Sequence, residues 1–499
     1  MYGTFWALIP PIFAIVLALI IKEAYSSLFL GVLLGAMFCA SFNPVGTLDT
    51  IINDGLVASI ADNAGIFLFL VLLGIIVALV NKSGGSAAFG RWAEAHVKTR
   101  VGALLATFAL GVLIFIDDYF NCLTVGAVMR PVTDSHKISR AKLAYMIDAT
   151  AAPVCMIAPI SSWAAAVSGV ANDLDTGISG IQLFIQAIPF NFYSLLTFVF
   201  IIAIAFMKFD YGPMAVAERA AQLEGKLGAL EQKEDQQINP KGRVIDLILP
   251  VVVLIIFSVI GMIYVGGFWD GASFIDAFGD TDAFVALPWA GVIALIFTVA
   301  YFLIRRVMSF KEAMECIPQG FIAMVPPIMI LVLATSLKSM TSALGAAEFV
   351  HGLMEGAAAS LYSMLPAIIF AVACVLAFAS GTSWGTFGIL IPIVVAIFPV
   401  DSKLLIIGIS ACCAGAVCGD HCSPISDTTI MASAGAQMNH LEHVSTQLPY
   451  AVSVAVLSFV TYILAGFVQN ALICFLFGTA ITIAALLVIR KVEAGKQGA

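Results

Sequence analysis

Between Cys418 and Thr429 the chain reads Gly419-Asp420-His421-Cys422-Ser423-Pro424-Ile425-Ser426-Asp427-Thr428, set within an otherwise apolar run from Leu404 to Met438. Each carboxylate at membrane depth carries an insertion penalty of about 2.5–3.5 kcal/mol, which something must offset. Carboxylate, hydroxyl and carbonyl oxygens together suit a hard cation. Pro424, between the two acids, has no N–H to donate and clashes with the carbonyl one turn back, and Gly419 and the Ser and Thr residues favour irregular backbone. A helix broken at mid-membrane is therefore predicted, with carbonyls freed for a cation. The alternative is a Pro-kinked helix whose own Ser and Thr side chains repair its hydrogen bonds.

A second set lies 265 residues earlier, where Ala158-Pro159-Ile160-Ser161-Ser162 falls on Ser423-Pro424-Ile425-Ser426-Asp427. The same shift, without a gap, places Asp117-Asp118-Tyr119-Phe120-Asn121 on Thr382-Ser383-Trp384-Gly385-Thr386. Two polar breaks in register point to an internal duplication. The adjacent Asp117 and Asp118 oppose each other's ionisation, which makes exchange of a proton for Na+ chemically available. Asp148 and His421 are the other proton-linked candidates. The ion or substrate region is assigned to Asp117, Asp118, Asn121, Ser161, Ser162, Thr382, Ser383, Thr386, Asp420, Ser423, Ser426, Asp427 and Thr428, with Na+ on Asp427, Asp420 and Asn121. No Lys or Arg stands in any of the four breaks. Trp163 and Trp384 are read as gates or as packing against the tips. Cys418, Asp420, His421 and Cys422 could be imagined around a transition metal, but the earlier copy offers no matching cluster.

The elements that must position these residues are apolar. Of 499 residues, 61% are hydrophobic and 11% charged, which is a polytopic membrane protein. The ten cysteines include no CxxC pair, so no disulfide framework is expected. A net charge of -8 leaves no nucleic-acid partner expected, and the first apolar run lacks the basic flank of a cleavable signal. Candidate spans are 5–21, 24–41, 65–80, 143–170, 181–207, 244–265, 284–304, 321–337, 404–438, 451–468 and 472–489. The runs 101–129 and 365–400 have like-charged flanks, basic for the first and acidic for the second. They read as re-entrant hairpins opening to opposite sides. Residues 309–317 read as a short interfacial helix, and 321–337 as a span fraying into Lys338.

This map keeps all but Lys338 and Lys403 of the 23 Lys and Arg residues on one side. The fold expected is all-α, with about 11 transmembrane helices, two re-entrant hairpins and broken helices at the midplane, in an inverted-topology repeat. The halves are 1–207 and 244–499, joined by a cytoplasmic linker 208–243 that is helical around 215–232. The N-terminus is expected outside and the C-terminus in the cytoplasm of a cell inner (plasma) membrane.

The segments Phe115–Asn121, Thr150–Trp163, Gly381–Thr386 and Gly419–Thr429 resemble the NhaC-type sodium/proton antiporter family of the wider ion-transporter superfamily. The resemblance covers both halves. It implies a scaffold domain, a mobile transport domain carrying the hairpins, an elevator-like mechanism in a homodimer, and Na+ as coupling ion without other cofactors. It also implies that Asp117, Asp118, Asn121, Ser161, Thr382, Ser383, Asp420, Ser423, Ser426, Asp427 and Thr428 line the ion and substrate region. Family members include carriers of organic and amino acids, so Na+- or H+-driven movement of a small organic solute stays open. The hydroxyls of Ser161, Ser162, Thr382 and Ser383, or half-helix N-termini, would then hold its carboxylate. An ion channel would need a continuous pore. An intramembrane aspartyl protease shares Gly419-Asp420 but lacks the partner Tyr-Asp and the GxGD form, so no enzyme is expected.

Overall fold

The computed structural model describes residues 2–21, 23–115, 118–159, 161, 163, 164, 167, 180–229, 239–274, 277, 281–346, 348, 349, 362–399 and 401–497. Asp117 and Ser162 lie outside the described residues, as do loop acids such as Asp173, Asp175, Asp276 and Asp280. Regular structure among the described residues is helical, with one isolated bridge pairing Ala229 and Met438.

In chain order the helices begin with α1 (Ile9–Ile21), α2 (Ala24–Cys39), α3 (Pro44–Asp49) and, after a π-helical stretch (Thr50–Val57), α4 (Ala58–Asp62). Next come α5 (Ala64–Ser83), α6 (Gly85–His96), α7 (Arg100–Leu113), α8 (Asp118–Ser135) and α9 (Arg140–Cys155). Beyond these lie α10 (Gly180–Ala187), α11 (Phe192–Met207), α12 (Gly212–Glu224), α13 (Ile245–Val265), α14 (Ala283–Ile304) and α15 (Phe310–Ala343). The chain finishes with α16 (Leu365–Ser380), α17 (Ser383–Ile397), α18 (Lys403–Cys422), α19 (Asp427–Ala436), α20 (His440–Val468) and α21 (Ala471–Gln497).

Among the described residues, α5, α13, α14, α16, α18, α20 and α21 are each long and apolar enough to cross a bilayer. Residues 182–207 add an eighth apolar crossing bent by 45°. With helices of this length and composition, the chain is an all-α polytopic membrane protein. Their outward side chains, such as Ile256, Val456 and Leu476, are exposed and apolar, as a hydrocarbon solvent requires.

Several sequence boundaries move. The crossing read as 181–207 bends at Asn191, whose side chain accepts from Ser194 N at 3.2 Å and caps α11. Residues 309–317 and 321–337 are not separate. A capping box of Ser309 and Glu312 starts one 34-residue helix, α15, which stays helical past Lys338 to Ala343. The linker helix, expected over 215–232, runs from Gly212 to Glu224 and ends at Gly225, whose φ of 69° is left-handed. It is also docked: Glu218, 2% exposed, accepts from Ser139 N at 2.7 Å and pairs with Arg100. Finally, α20 begins at His440 rather than near Ala451, because Asn439 caps it through Glu442 N at 3.1 Å.

Two groups of helices pack around separate seams. α5, α13, α14 and α15 pack on one another, with α1 and α2 beside α15. α8 and α9 pack with α19, and α7 on α8 and α9, while α10, α11, α12, α16, α17, α18, α20 and α21 complete the second group. Small residues bring backbones into contact in this second group. A Cβ on Gly435 of α19 would stand 2.4 Å from Cys122 O of α8, and one on Gly419 of α18 would stand 2.2 Å from Cys374 O of α16.

Candidate functional site

Each break in the second group is built by local chemistry. α18 ends at Cys422 and α19 starts at Asp427. Between them Pro424 cannot donate, and Ser426 caps α19 by accepting from Thr429 N at 3.2 Å. His440 Nε2 lies 2.7 Å from Pro424 O, so the first turn of α20 satisfies one freed carbonyl. The other break is similar. α16 ends at Gly381 with φ of 66°, and Thr382 caps α17 by accepting from Gly385 N at 3.3 Å.

The two breaks touch. A side chain on Gly381 would stand 2.5 Å from Ile425 O, which leaves room for glycine alone. Ser423 Oγ donates to Phe378 O at 2.8 Å, and Ser383 Oγ to Ala416 O at 3.2 Å. Thr386 Oγ1 is spent within its own helix on Thr382 O at 2.8 Å.

Asp420 is 1% exposed and accepts from Thr428 Oγ1 at 2.9 Å, with the Ser426 and Ser383 hydroxyls also beside it. Asp427, the first residue of α19, accepts from Thr428 N at 3.0 Å through Oδ1. The positive end of that helix favours a carboxylate there. The two acids lie within electrostatic reach of each other.

The first half reaches the same place. Tyr119 OH donates to Asp427 Oδ2 at 2.5 Å, and Cys122 Sγ lies 3.8 Å from Thr428 O, both from α8. Asp118 opens α8 and is 1% exposed. Asn121 has a structural duty: its Nδ2 donates to Gly111 O and Ile114 O, each at 2.7 Å, closing the end of α7. Its Oδ1 has no partner among the described residues. Ser161 is likewise engaged, donating to Cys155 O at 2.7 Å and accepting from Ala164 N at 3.0 Å. Trp163, fully buried, packs at 6.1 Å between ring centroids from Trp384 and 5.8 Å from Phe387. Segments from all four sequence breaks thus adjoin.

Asp148 stands apart, in a buried polar cluster on α9. Its Oδ2 accepts from Gln447 Nε2 at 2.6 Å and lies 3.3 Å from His443 Nε2. Gln447 Nε2 also donates to His421 O at 2.7 Å, and His421 Nε2 lies 3.9 Å from Asp148 Oδ1. Tyr193 OH is 3.1 Å from His421 Nδ1. His421 is one of three buried histidines here. His440 and His443 are buried too, because α20 starts eleven residues before the span assigned from hydropathy.

Sequence reasoning missed a further group. A cavity of about 710 Å³ is lined by Asp427, Tyr119, Thr382 and Trp384 on one side, and by Asp62, Asn63, Thr335 and Lys338 on the other. Lys338 Nζ reaches 3.4 Å from Thr382 Oγ1 and exerts its charge on Asp427. The acids are not without a cation, although no break contains one. Lys338 was signalled as one of two basic residues on the wrong side of the charge map.

A sequence profile described as the Na+/H+ antiporter family matches residues 154–467. An uncharacterized protein of Haemophilus influenzae is 36% identical over 97% of this chain and 94% of its own length. A Bacillus subtilis protein named malate-2H(+)/Na(+)-lactate antiporter is 28% identical over 175 residues, 34% of this chain and 35% of that protein. Among solved structures, Neisseria gonorrhoeae MtrF, described as illuminating a class of antimetabolite efflux pumps, aligns over 84% of each chain at 13% identity and a TM-score of 0.33. The profile spans both second-half breaks and the earlier Pro-Ile-Ser segment, and with the near-complete relative beside it the conclusion is direct: this chain belongs to the Na+/H+ antiporter family.

Proposed function

We propose that the chain is a Na+-coupled secondary transporter that exchanges Na+ for protons, taking the cation on Asp420 and Asp427. The observation that carries this reading is the meeting at Asp427 of α8 and α19, where Tyr119 donates to a half-buried carboxylate within reach of a second, buried one. Two neighbouring carboxylates in a low-dielectric site repel, and either Na+ or a proton relieves that repulsion. Only one kind of cation need occupy the pair at a time, which is the logic of antiport. Asn121 Oδ1 and the Ser426 and Thr428 hydroxyls supply further oxygens for Na+.

The proposed movement is elevator-like. The second helix group, carrying the four breaks, slides against the group of α5, α13, α14 and α15, and the cavity lies between them. Like-charge flanks make 101–129 and 365–400 oppositely opening hairpins of an inverted repeat. The working unit is a homodimer in the inner (plasma) membrane, N-terminus outside.

The test is flux. Purified protein in liposomes with an imposed Na+ gradient should drive proton movement the other way, reversing when the gradient reverses. Sodium movement with no counter-flow of protons would overturn the exchange.

A second reading is favoured by Lys338 and the cavity volume: exchange of an organic anion with Na+ or protons. The similarity to the protein named as a malate and lactate antiporter supports it over 34% of the chain.

A further inference from the structure

A second, much smaller pocket lies on the seam where α8 of the second helix group faces α5 and α13 of the first. Its volume is about 20 Å³, which admits one occupant little larger than a water. Apolar side chains such as Leu73 of α5 and Val251 of α13 form most of the wall, and one face of α8 closes it with Thr124 and Arg130. Arg130 is 9% exposed and joins no ion pair among the described residues. Its guanidinium makes one hydrogen bond there, from Nε to Gly126 O at 3.2 Å in its own helix. The carboxylate within electrostatic reach, Asp134, is already held by Arg140 through two bonds of 2.8 and 2.7 Å. Arg140 adds a like charge, so the polar side of the pocket is net positive. Thr124 Oγ1 is buried and has no hydrogen-bond partner among the described residues. Ser86, also on the wall, spends its proton on Asn81 Oδ1 at 2.6 Å.

A buried charge without a counter-charge is costly, and a buried hydroxyl without an acceptor adds to the cost. One small anion removes both. A water would satisfy the hydroxyl and leave the guanidinium uncompensated, whereas sulfate or phosphate exceeds the space. We propose that this pocket binds chloride, held between the Arg130 guanidinium and the Thr124 hydroxyl. The inference goes beyond the transporter reading and holds whatever the chain carries. Because the polar wall belongs to one helix group and most of the apolar wall to the other, chloride seats only where the two are packed together. It therefore stabilises the folded chain by mass action.

The experiment uses the full chain, purified in detergent in sodium gluconate, with 36Cl− as the probe. Saturable binding is expected, displaced by bromide and not by sulfate. Thr124→Val keeps the side-chain shape and should raise the chloride Kd about tenfold or more, as loss of a hydrogen bond to a charged group does. Arg130→Met should abolish binding, and Arg130→Lys should retain part of it. Thermal unfolding is followed in gluconate and in chloride. Chloride should raise the midpoint of the wild type and raise that of Thr124→Val less; a merely structural Thr124 would shift both salts alike. The proposal is overturned if the wild type binds no 36Cl− saturably, which is the result for a pocket that holds water alone. It is also overturned if sulfate competes as well as bromide does, or if Thr124→Val and Arg130→Met bind as the wild type.

Discussion

Asp427 occupies the first turn of α19, where the helix end favours its charge, yet one of its oxygens is taken by a tyrosine from a helix 308 residues away. That bond joins the halves at the proposed ion site. A hydrogen bond to a carboxylate contributes about 1.5–3 kcal/mol, and partial exposure of Tyr119 puts this one at the lower end. Tyr119→Phe should therefore destabilise the protein by about 1.5 kcal/mol in thermal unfolding. Combined with Asp427→Asn it should add little more, so a double-mutant cycle reports their coupling. Strict additivity would mean that the bond is not made. Asp420 and Asp427 were legible in the sequence because acids in an apolar run are conspicuous. Tyr119 was not, and Lys338 showed only as a basic residue out of place on the charge map. A tyrosine is common in membrane segments, and a lysine after a predicted span reads as an exit to water. Only long-range packing of α15 turns that lysine inward.

Helix termini explain why so many of the site's hydroxyls were visible in the sequence. Ser161 and Ser426 follow prolines, and Thr382 follows Gly381, which is the signature of a helix restarting after a break. Spacing alone does not separate a cap from an ion ligand, since both need an oxygen at the same place. The close packing behind these caps is testable. A Cβ on Gly435 collides with the α8 backbone, whereas one on Gly388 of α17 meets nothing within 4 Å. Gly435→Ala should destabilise the protein by about 1–3 kcal/mol and reduce transport, because it pushes Tyr119's helix from Asp427. Gly388→Ala should do neither. Equal tolerance of both would contradict the backbone contact. The Asp148 cluster was half legible: Asp148 and His421 lie in apolar runs, but His443 and Gln447 fell in a stretch too polar to be assigned to a span.

At the scale of the molecule, hydropathy located the long crossings well and the interrupted ones poorly. α5, α13, α14 and α21 present continuous apolar sequence, and their boundaries fall within a few residues of those read from composition, apart from the C-terminal extension of α21. α10 with α11 bends, and α15 runs on past Lys338, because caps and interhelix packing decide those ends. The elevator proposal makes the cavity a sliding interface. In a chain freed of its ten native cysteines, a bismaleimide bridge between Ser342→Cys on α15 and Trp384→Cys on α17 should abolish transport, since both line that space. A bridge between Ser59→Cys and Thr335→Cys, whose hydroxyls already bond within the other group, should leave it. Transport surviving the first bridge would rule out relative sliding.

The central claim is that Asp420 and Asp427 hold the coupling ion. Equilibrium binding of 22Na+ to purified wild-type protein and to Asp427→Asn, each verified as folded, tests it most directly. Saturable 22Na+ binding in the wild type and its loss in Asp427→Asn is the result expected; equal binding by both proteins would contradict it.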